Sequence, residues 1–163
     1  MAQDRNISKK QTAKYIIDDA LAIVMEDAKR HDKKDLWWEC LRRRCELKQQ
    51  GISAKDSPLE LDFYAVMFAY ETLQGELRQR TNYRANRTWK LFENKGAKAV
   101  LEKWALNKQK EPAFRVIIDH DGYDLTGEYM VLKHKNDFSP EVVTAARQSL
   151  LDGGVRADIL ETA

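Results

Sequence analysis

Proline occurs three times and glycine seven times in 163 residues. So few chain breakers exclude the many short strands and tight turns of an all-β fold and favour helices. Cysteine is equally scarce. Cys40 and Cys45 lie five residues apart on one apparent helix. Five steps of 100° turn them to different faces, which suits neither a mutual disulfide nor a shared metal. Both read as reduced core or boundary residues of a cytoplasmic protein. Long apolar runs are missing as well. Nothing approaches the roughly 18 apolar residues of a membrane span. The opening MAQDRNISKKQ lacks the apolar stretch of a secretory signal. No membrane partner is therefore expected.

Short catalytic motifs are absent too. The chain contains no GxSxG, no GxGxxG, no GxxxxGKS/T and no HExxH. Activated-serine, dinucleotide, phosphate-loop and zinc-peptidase chemistry thus have no local signature. The adjacent carboxylates Asp18-Asp19 and Glu26-Asp27 point about 100° apart on a helix, so neither pair converges on one point. None of His31, His120 and His134 pairs with a second His or Cys at metal-ligand spacing. No catalytic residue, metal or cofactor is expected, and an enzyme of unrecognised type ranks third among the readings.

Asp119-His120-Asp121-Gly122-Tyr123-Asp124, with Glu128 beyond it, has the outline of a calcium loop. With Gly122 at loop position 6, however, position 1 is Ile117, which has no side-chain oxygen, and position 8 is Asp124, where the motif has an apolar residue. The stretch reads instead as a helix C-terminus followed by an acidic turn.

What the chain does have is charge, 33% of its residues, and apolar spacing at helical period. The net charge of +2 is unevenly spread. Residues 1–60 carry +2, 61–77 carry −3, 78–110 carry +8 and 111–163 carry −5. That alternation is the most informative functional feature of the sequence.

The spacing predicts an all-α fold of about seven or eight helices in a single domain, 1–163. A long-helix part covers about 8–80, a shorter-helix part about 82–152, and a loose tail follows. The first helix runs from an N-cap at Ser8 to about His31. Its core stripe is Ala13, Ile16, Ile17, Ala20, Ile23, Val24 and Ala28. The second begins near Asp32 or Asp35, carries Leu36, Trp37, Cys40, Leu41 and Leu47, and ends at Gly51. The third opens on the capping box Ser57-Pro58-Leu59-Glu60. It is apolar nearly all round, which marks a central helix with the other two around it. Helices over about 83–94 and 97–108 flank Gly96. Pro112 opens a short element ended by Gly122. Thr126 caps a helix through Leu132, with one short strand over 129–132 as the alternative. Ser139-Pro140-Glu141 starts the last helix, which ends at Gly153-Gly154.

The basic segment supplies the candidate site. On a helix, Arg87, Lys90 and Asn94 project within about 60° of one another, while Ala85, Thr88, Trp89 and Phe92 take the opposite side. Lys95, Lys98, Lys103, Lys108 and Lys110 follow. Arg84, Arg87, Lys90 and Lys98 are the expected nucleic-acid contacts, because a phosphate backbone attracts cations concentrated on one surface. The competing explanation is a solvated face, or one matched internally by the acidic 111–163 segment. Two helices around Gly96 have helix-turn-helix spacing, but the outward residues of the second, Lys98, Glu102 and Lys103, are a poor set for reading base edges. Arg42, Arg43 and Arg44 splay over about 200° and do not form one patch, and Arg44 lies on the side that would meet a buried acid. The leading reading is a non-catalytic protein that binds nucleic acid weakly and without sequence preference. The alternative is a protein–protein adaptor or homo-oligomer that uses exposed aromatics such as Trp38 and Tyr83.

Overall fold

Ser57 starts the most apolar helix in the chain as its sequence predicts. Its Oγ accepts the Glu60 N–H at 3.2 Å, and Glu60 Oε2 accepts the Ser57 N–H at 2.8 Å, with Pro58 in the first turn. Two donors that a helix start leaves orphaned are thus satisfied reciprocally. In the computed structural model, which describes residues 9–50 and 55–163, the fold is all-α, with no strand among the described residues. The order is α1 (Lys9–Arg30), α2 (Lys34–Gln49), α3 (Pro58–Leu77), α4 (Asn86–Leu106), α5 (Pro112–Asp119), α6 (Gly127–Lys133), α7 (Pro140–Asp152) and α8 (Ala157–Glu161). No helix among the described residues is long and apolar enough to cross a membrane.

α3 is the shared wall of two apolar clusters. Phe63, Val66 and Met67 face the larger, built with Val100 and Leu101 of α4, Val131 of α6 and Ala146 and Leu150 of α7. Ala65, Ala69 and Leu73 face the smaller, with Cys40, Leu41 and Cys45 of α2, Ala113 and Ile117 of α5 and Met25 of α1. Both cysteines are buried and free, and burial pushes the Cys45 thiol up to about 12. Leu41 and Phe63 have no exposed surface at all. Burial this complete is worth about 1.5–3 kcal/mol for each such side chain.

Three expectations are corrected. The stripe assigned to the core of α1 faces out. Ala13, Ile16, Ile17, Ala20, Ile23 and Val24 are exposed, and of that set only Ala28 is buried. α1 is the outermost layer. It packs on α2 with the stripe Asp18, Leu21, Met25 and Ala28, which lies about 120° round the helix from the expected one. Asp18 belongs on that face because Arg44 of α2 meets it at 2.9 Å and Lys48 at 3.1 Å. The stretch 129–132 is helical, not a strand. Thr126 Oγ1 accepts the Tyr129 N–H at 3.2 Å, and Met130, Val131 and Leu132 are all buried, while Tyr129 is half-buried and Lys133 reaches solvent. The tail is not loose. Gly154, at φ +99°, turns the chain back, and Val155 and Leu160 enter the larger cluster. The expected helix ends at Ser8 and Gly51 lie outside the described residues.

Ser57→Ala is expected to lower stability by about 0.5–2 kcal/mol, the usual cost of losing a capping hydroxyl, read as a shift in the denaturant midpoint. A second expectation concerns pH. Burial works to raise the Asp18 carboxyl, but hydrogen bonds and charge from Arg44 and Lys48 outweigh it and hold it below the ordinary carboxylate range. A carboxyl depressed in the folded state contributes stability above its unfolded pKa, about 3.9, and loses it as pH falls through the folded value. The stability gap between wild type and Asp18→Asn should therefore be constant above about pH 5 and close progressively in acid. Urea melts across that range would show it.

Candidate functional site

The basic segment is carried by α4, which the structure breaks in two. Gly96 sits at φ 80° and ψ 174° inside the helix. That backbone region is essentially closed to residues with a side chain, which explains why a glycine stands there. The half before the break presents Arg87, Lys90 and Asn94 to solvent and turns Trp89 and Phe92 inward, as its periodicity predicts. Phe92 stacks on Phe63 of α3 with ring centres 4.8 Å apart, and Trp89 meets the same ring edge-on at 5.9 Å.

Polar contacts lock that orientation. Glu71 of α3 accepts both the Ala85 N–H and the Trp89 indole N–H at 2.7 Å. One carboxylate thus satisfies the start of α4 and pins its aromatic face. An anion at a helix N-terminus also complements the helix dipole. Arg84 lies with its guanidinium 5.2 Å from the centre of the Trp89 ring, and Arg78 lies likewise over Tyr83 at 5.4 Å. Each keeps its charge exposed while covering an aromatic face.

Arg84, Arg87 and Lys90 have no carboxylate within 4.0 Å among the described residues, nor do Arg80, Lys95, Lys103 and Lys108. The acidic 111–163 segment therefore does not cover this face with ion pairs. Lys98 differs. It lies beyond the Gly96 break, on the second half of the helix, and stands 3.8 Å from Glu102 on its own helix. The structure rests Arg84 on Trp89, presents Arg87 and Lys90 to solvent on the first half of α4, and leaves Lys98 on the second half.

Lys110 is not part of the face at all. Its ammonium donates to the Trp104 carbonyl at 2.8 Å, closing the C-terminal end of α4, and pairs with buried Glu128 of α6 at 2.8 Å. Cations at a helix C-terminus satisfy both the orphan carbonyls and the dipole. The pair borders a cavity of about 60 Å³ lined by Tyr70, Trp104, Phe114 and Thr126. Small-molecule sites run to about 300–1,000 Å³, well above this volume. Gly127 stands at its edge because a Cβ there would lie 2.6 Å from the Trp104 ring.

The remaining candidates are engaged internally. Both carboxylate oxygens of Asp124 accept from Arg42 Nη1 at 2.9 Å, and Arg42 Nη2 donates to the Asp121 carbonyl at 2.9 Å. Of the acids of the calcium-like outline, Asp124 is thus tied to Arg42 and Glu128 to Lys110, while Asp119 and Asp121 make no side-chain ion pair among the described residues. Among the described residues no group of His, Cys, Asp and Glu has the arrangement of a metal site. The three arginines 42–44 take three partners, Asp124, Glu46 and Asp18, as their splay predicts. Trp38 and Tyr83, expected as exposed anchors, are half-buried. Trp38 stacks on His120 at 4.5 Å, and Tyr83 packs against the larger core cluster.

One constellation was missed by sequence reasoning. His134 Nε2 lies 2.6 Å from Asp62 Oδ2, and Lys133 and Gln49 reach the same buried carboxylate at 2.8 and 3.0 Å. Among the described residues no hydroxyl or thiol hydrogen-bonds to His134. The cluster joins α2, α3 and the end of α6. Positions 62 and 134 are 72 residues apart, a separation that no local pattern reports.

Comparison of the chain with protein-family models, with curated proteins and with solved structures finds no match.

The structural and the exposed lysines should separate on substitution. Lys110→Met leaves Glu128 buried and unpaired and is expected to cost about 3–5 kcal/mol. Lys90→Met should stay within about 0.5 kcal/mol of wild type, because that side chain is exposed. Equilibrium unfolding of both variants measures the contrast.

Proposed function

We propose that this chain is a non-catalytic binding protein that contacts the phosphate backbone of nucleic acid through Arg84, Arg87 and Lys90, with Lys98 as a weaker, separate contact. The observation that carries the reading is the state of the cations in 78–110. The segment bears +8 in a chain of +2, and only Lys98 and Lys110 of its bases find a carboxylate within 4.0 Å among the described residues. Unpaired cations on a rigid helix condense onto a polyanion with release of its counterions, which is the main drive of sequence-independent binding. Rigidity comes from the Glu71 clamp and the Phe63–Phe92 stack. Arg84 resting on Trp89 adds a planar donor, suited to phosphate, that needs little further ordering. Base reading is not part of the proposal, since the outward residues of the second half are Lys98, Glu102 and Lys103. A second reading, association with protein, is favoured by a different observation, the apolar outer face of α1.

Binding should be weak, alike for different sequences and steeply dependent on salt. Arg87→Glu with Lys90→Glu should weaken it across all sequences and flatten the salt slope by about one unit for each phosphate that is no longer neutralised, with little change in stability. Fluorescence anisotropy against single- and double-stranded oligonucleotides at low salt is the measurement. Absence of binding to either at about micromolar protein, where even non-specific binders begin to engage at low salt, would reduce the face to solvated surface.

A further inference from the structure

The outer face of α1 is an apolar seam that no described residue covers. Ile16 is 64% exposed and Ile23 72%, and Ile17 and Val24 are also exposed. Ala13 and Ala20 lie between them on the same strip. Contiguous apolar surface of this kind on a soluble protein marks an interaction site. Its spacing is more specific than its hydrophobicity. Positions 13, 16, 20 and 23 follow the alternating three- and four-residue steps of a coiled-coil seam, with alanine at 13 and 20 and isoleucine at 16 and 23. Ile17 and Val24 widen it on one side.

We propose that this seam is a homodimer interface in which two α1 helices pair antiparallel about a two-fold axis at the level of residue 18. The argument is self-complementarity. In an antiparallel pair with residue i facing 36 − i, Ala13 meets Ile23 of the second copy and Ile16 meets Ala20, so each of the four layers holds one small and one large side chain. Such layers interdigitate at constant thickness. A parallel pair would instead alternate alanine against alanine with isoleucine against isoleucine, leaving gaps beside bulges. Charge favours the same choice, because a parallel pair would face Asp27 with Asp27. A two-fold contact of one patch with itself is the commonest symmetric assembly.

The face is free in the monomer for a structural reason. α1 packs on α2 with its other stripe, anchored by Asp18 to Arg44 and Lys48, and Lys29 pairs with Glu76 of α3. The helix is therefore held in place without using the seam. The contact spans residues 13–24, about 18 Å at 1.5 Å per residue. One helix pair of that length falls at or below the low end of specific interfaces, which bury about 1,200–2,000 Å² in total. One flank opposes the pairing, because the two Asp19 carboxylates approach each other beside the axis.

Sedimentation equilibrium of the full chain over a wide concentration range, free of nucleic acid, tests the proposal. The expected result is a monomer–dimer equilibrium. Ile16→Glu with Ile23→Glu should abolish it and leave the circular dichroism spectrum unchanged, since neither side chain is buried in the fold. Asp19→Asn should tighten the dimer several-fold. For orientation, Ile16→Cys mixed with Ala20→Cys should form a disulfide-linked dimer on oxidation, while each variant alone should not. Cys40 and Cys45 are buried and stay out of the reaction. Wild type that remains monomeric at every concentration overturns the homodimer and gives the seam to a helix of another protein. A dimer that survives the double glutamate variant places the interface elsewhere. Cross-linking of either single variant with itself overturns the antiparallel register.

Discussion

Burial of α3 on both sides is the constraint from which the other elements take their positions. A helix enclosed by neighbours must satisfy every polar side chain it carries, because an unpaired buried group costs about 1–3 kcal/mol. α3 carries Asp62, Glu71 and Gln74, and each meets a different element. Asp62 holds His134 and Lys133 at the end of α6 together with Gln49 of α2. Glu71 receives the start of α4. Gln74 donates to Glu111 at the entry to α5 and accepts from Arg78. The apolar surface of α3 sets what packs against it, and these three side chains fix where along its length each neighbour docks.

The alternation of charge along the chain does not translate into blocks that pair with one another. Acids of the C-terminal segment are taken by Arg42 and Lys110, and others pair within the segment, as Asp158 does with Arg156. Apart from Lys98 and Lys110, the bases of 78–110 have no carboxylate within 4.0 Å among the described residues. Exposed cations contribute little to folding, and charge on the outward face of a helix is ordinary, so the fold neither requires nor opposes a basic run here. Lys110 stands apart from that run, since its ammonium is consumed by a helix end and a buried carboxylate.

α1 shows how amphipathicity misleads when a helix has two apolar stripes. The stronger stripe, rich in isoleucine, is outward, and the weaker one, Leu21, Met25 and Ala28 with Asp18 among them, faces the fold. Isolated apolar side chains on a surface need no explanation, but a row at coiled-coil spacing does. A basic face on α4 and an apolar seam on α1 lie on different elements, and neither depends on the other.

Local events are legible in the sequence by itself. The box at Ser57, the caps at Thr126 and Ser139, the break at Gly96 and the central place of α3 follow from hydrogen bonds, steric limits and apolar spacing that act within about four residues along a helix. The outward set Arg87, Lys90 and Asn94 is legible for the same reason. Arg44 as the partner of a buried acid is legible too, although its partner's identity is not. Tertiary structure alone decided the rest: which of two stripes on α1 is covered, that Leu160 closes the core, that Trp38 stacks on His120, that Lys110 is an internal cap, and that His134 meets Asp62. A periodic pattern defines directions relative to the helix that bears it. Which direction faces inward is set by where the other helices come to lie, and that is decided by contacts between residues tens of positions apart, which leave no mark on local spacing.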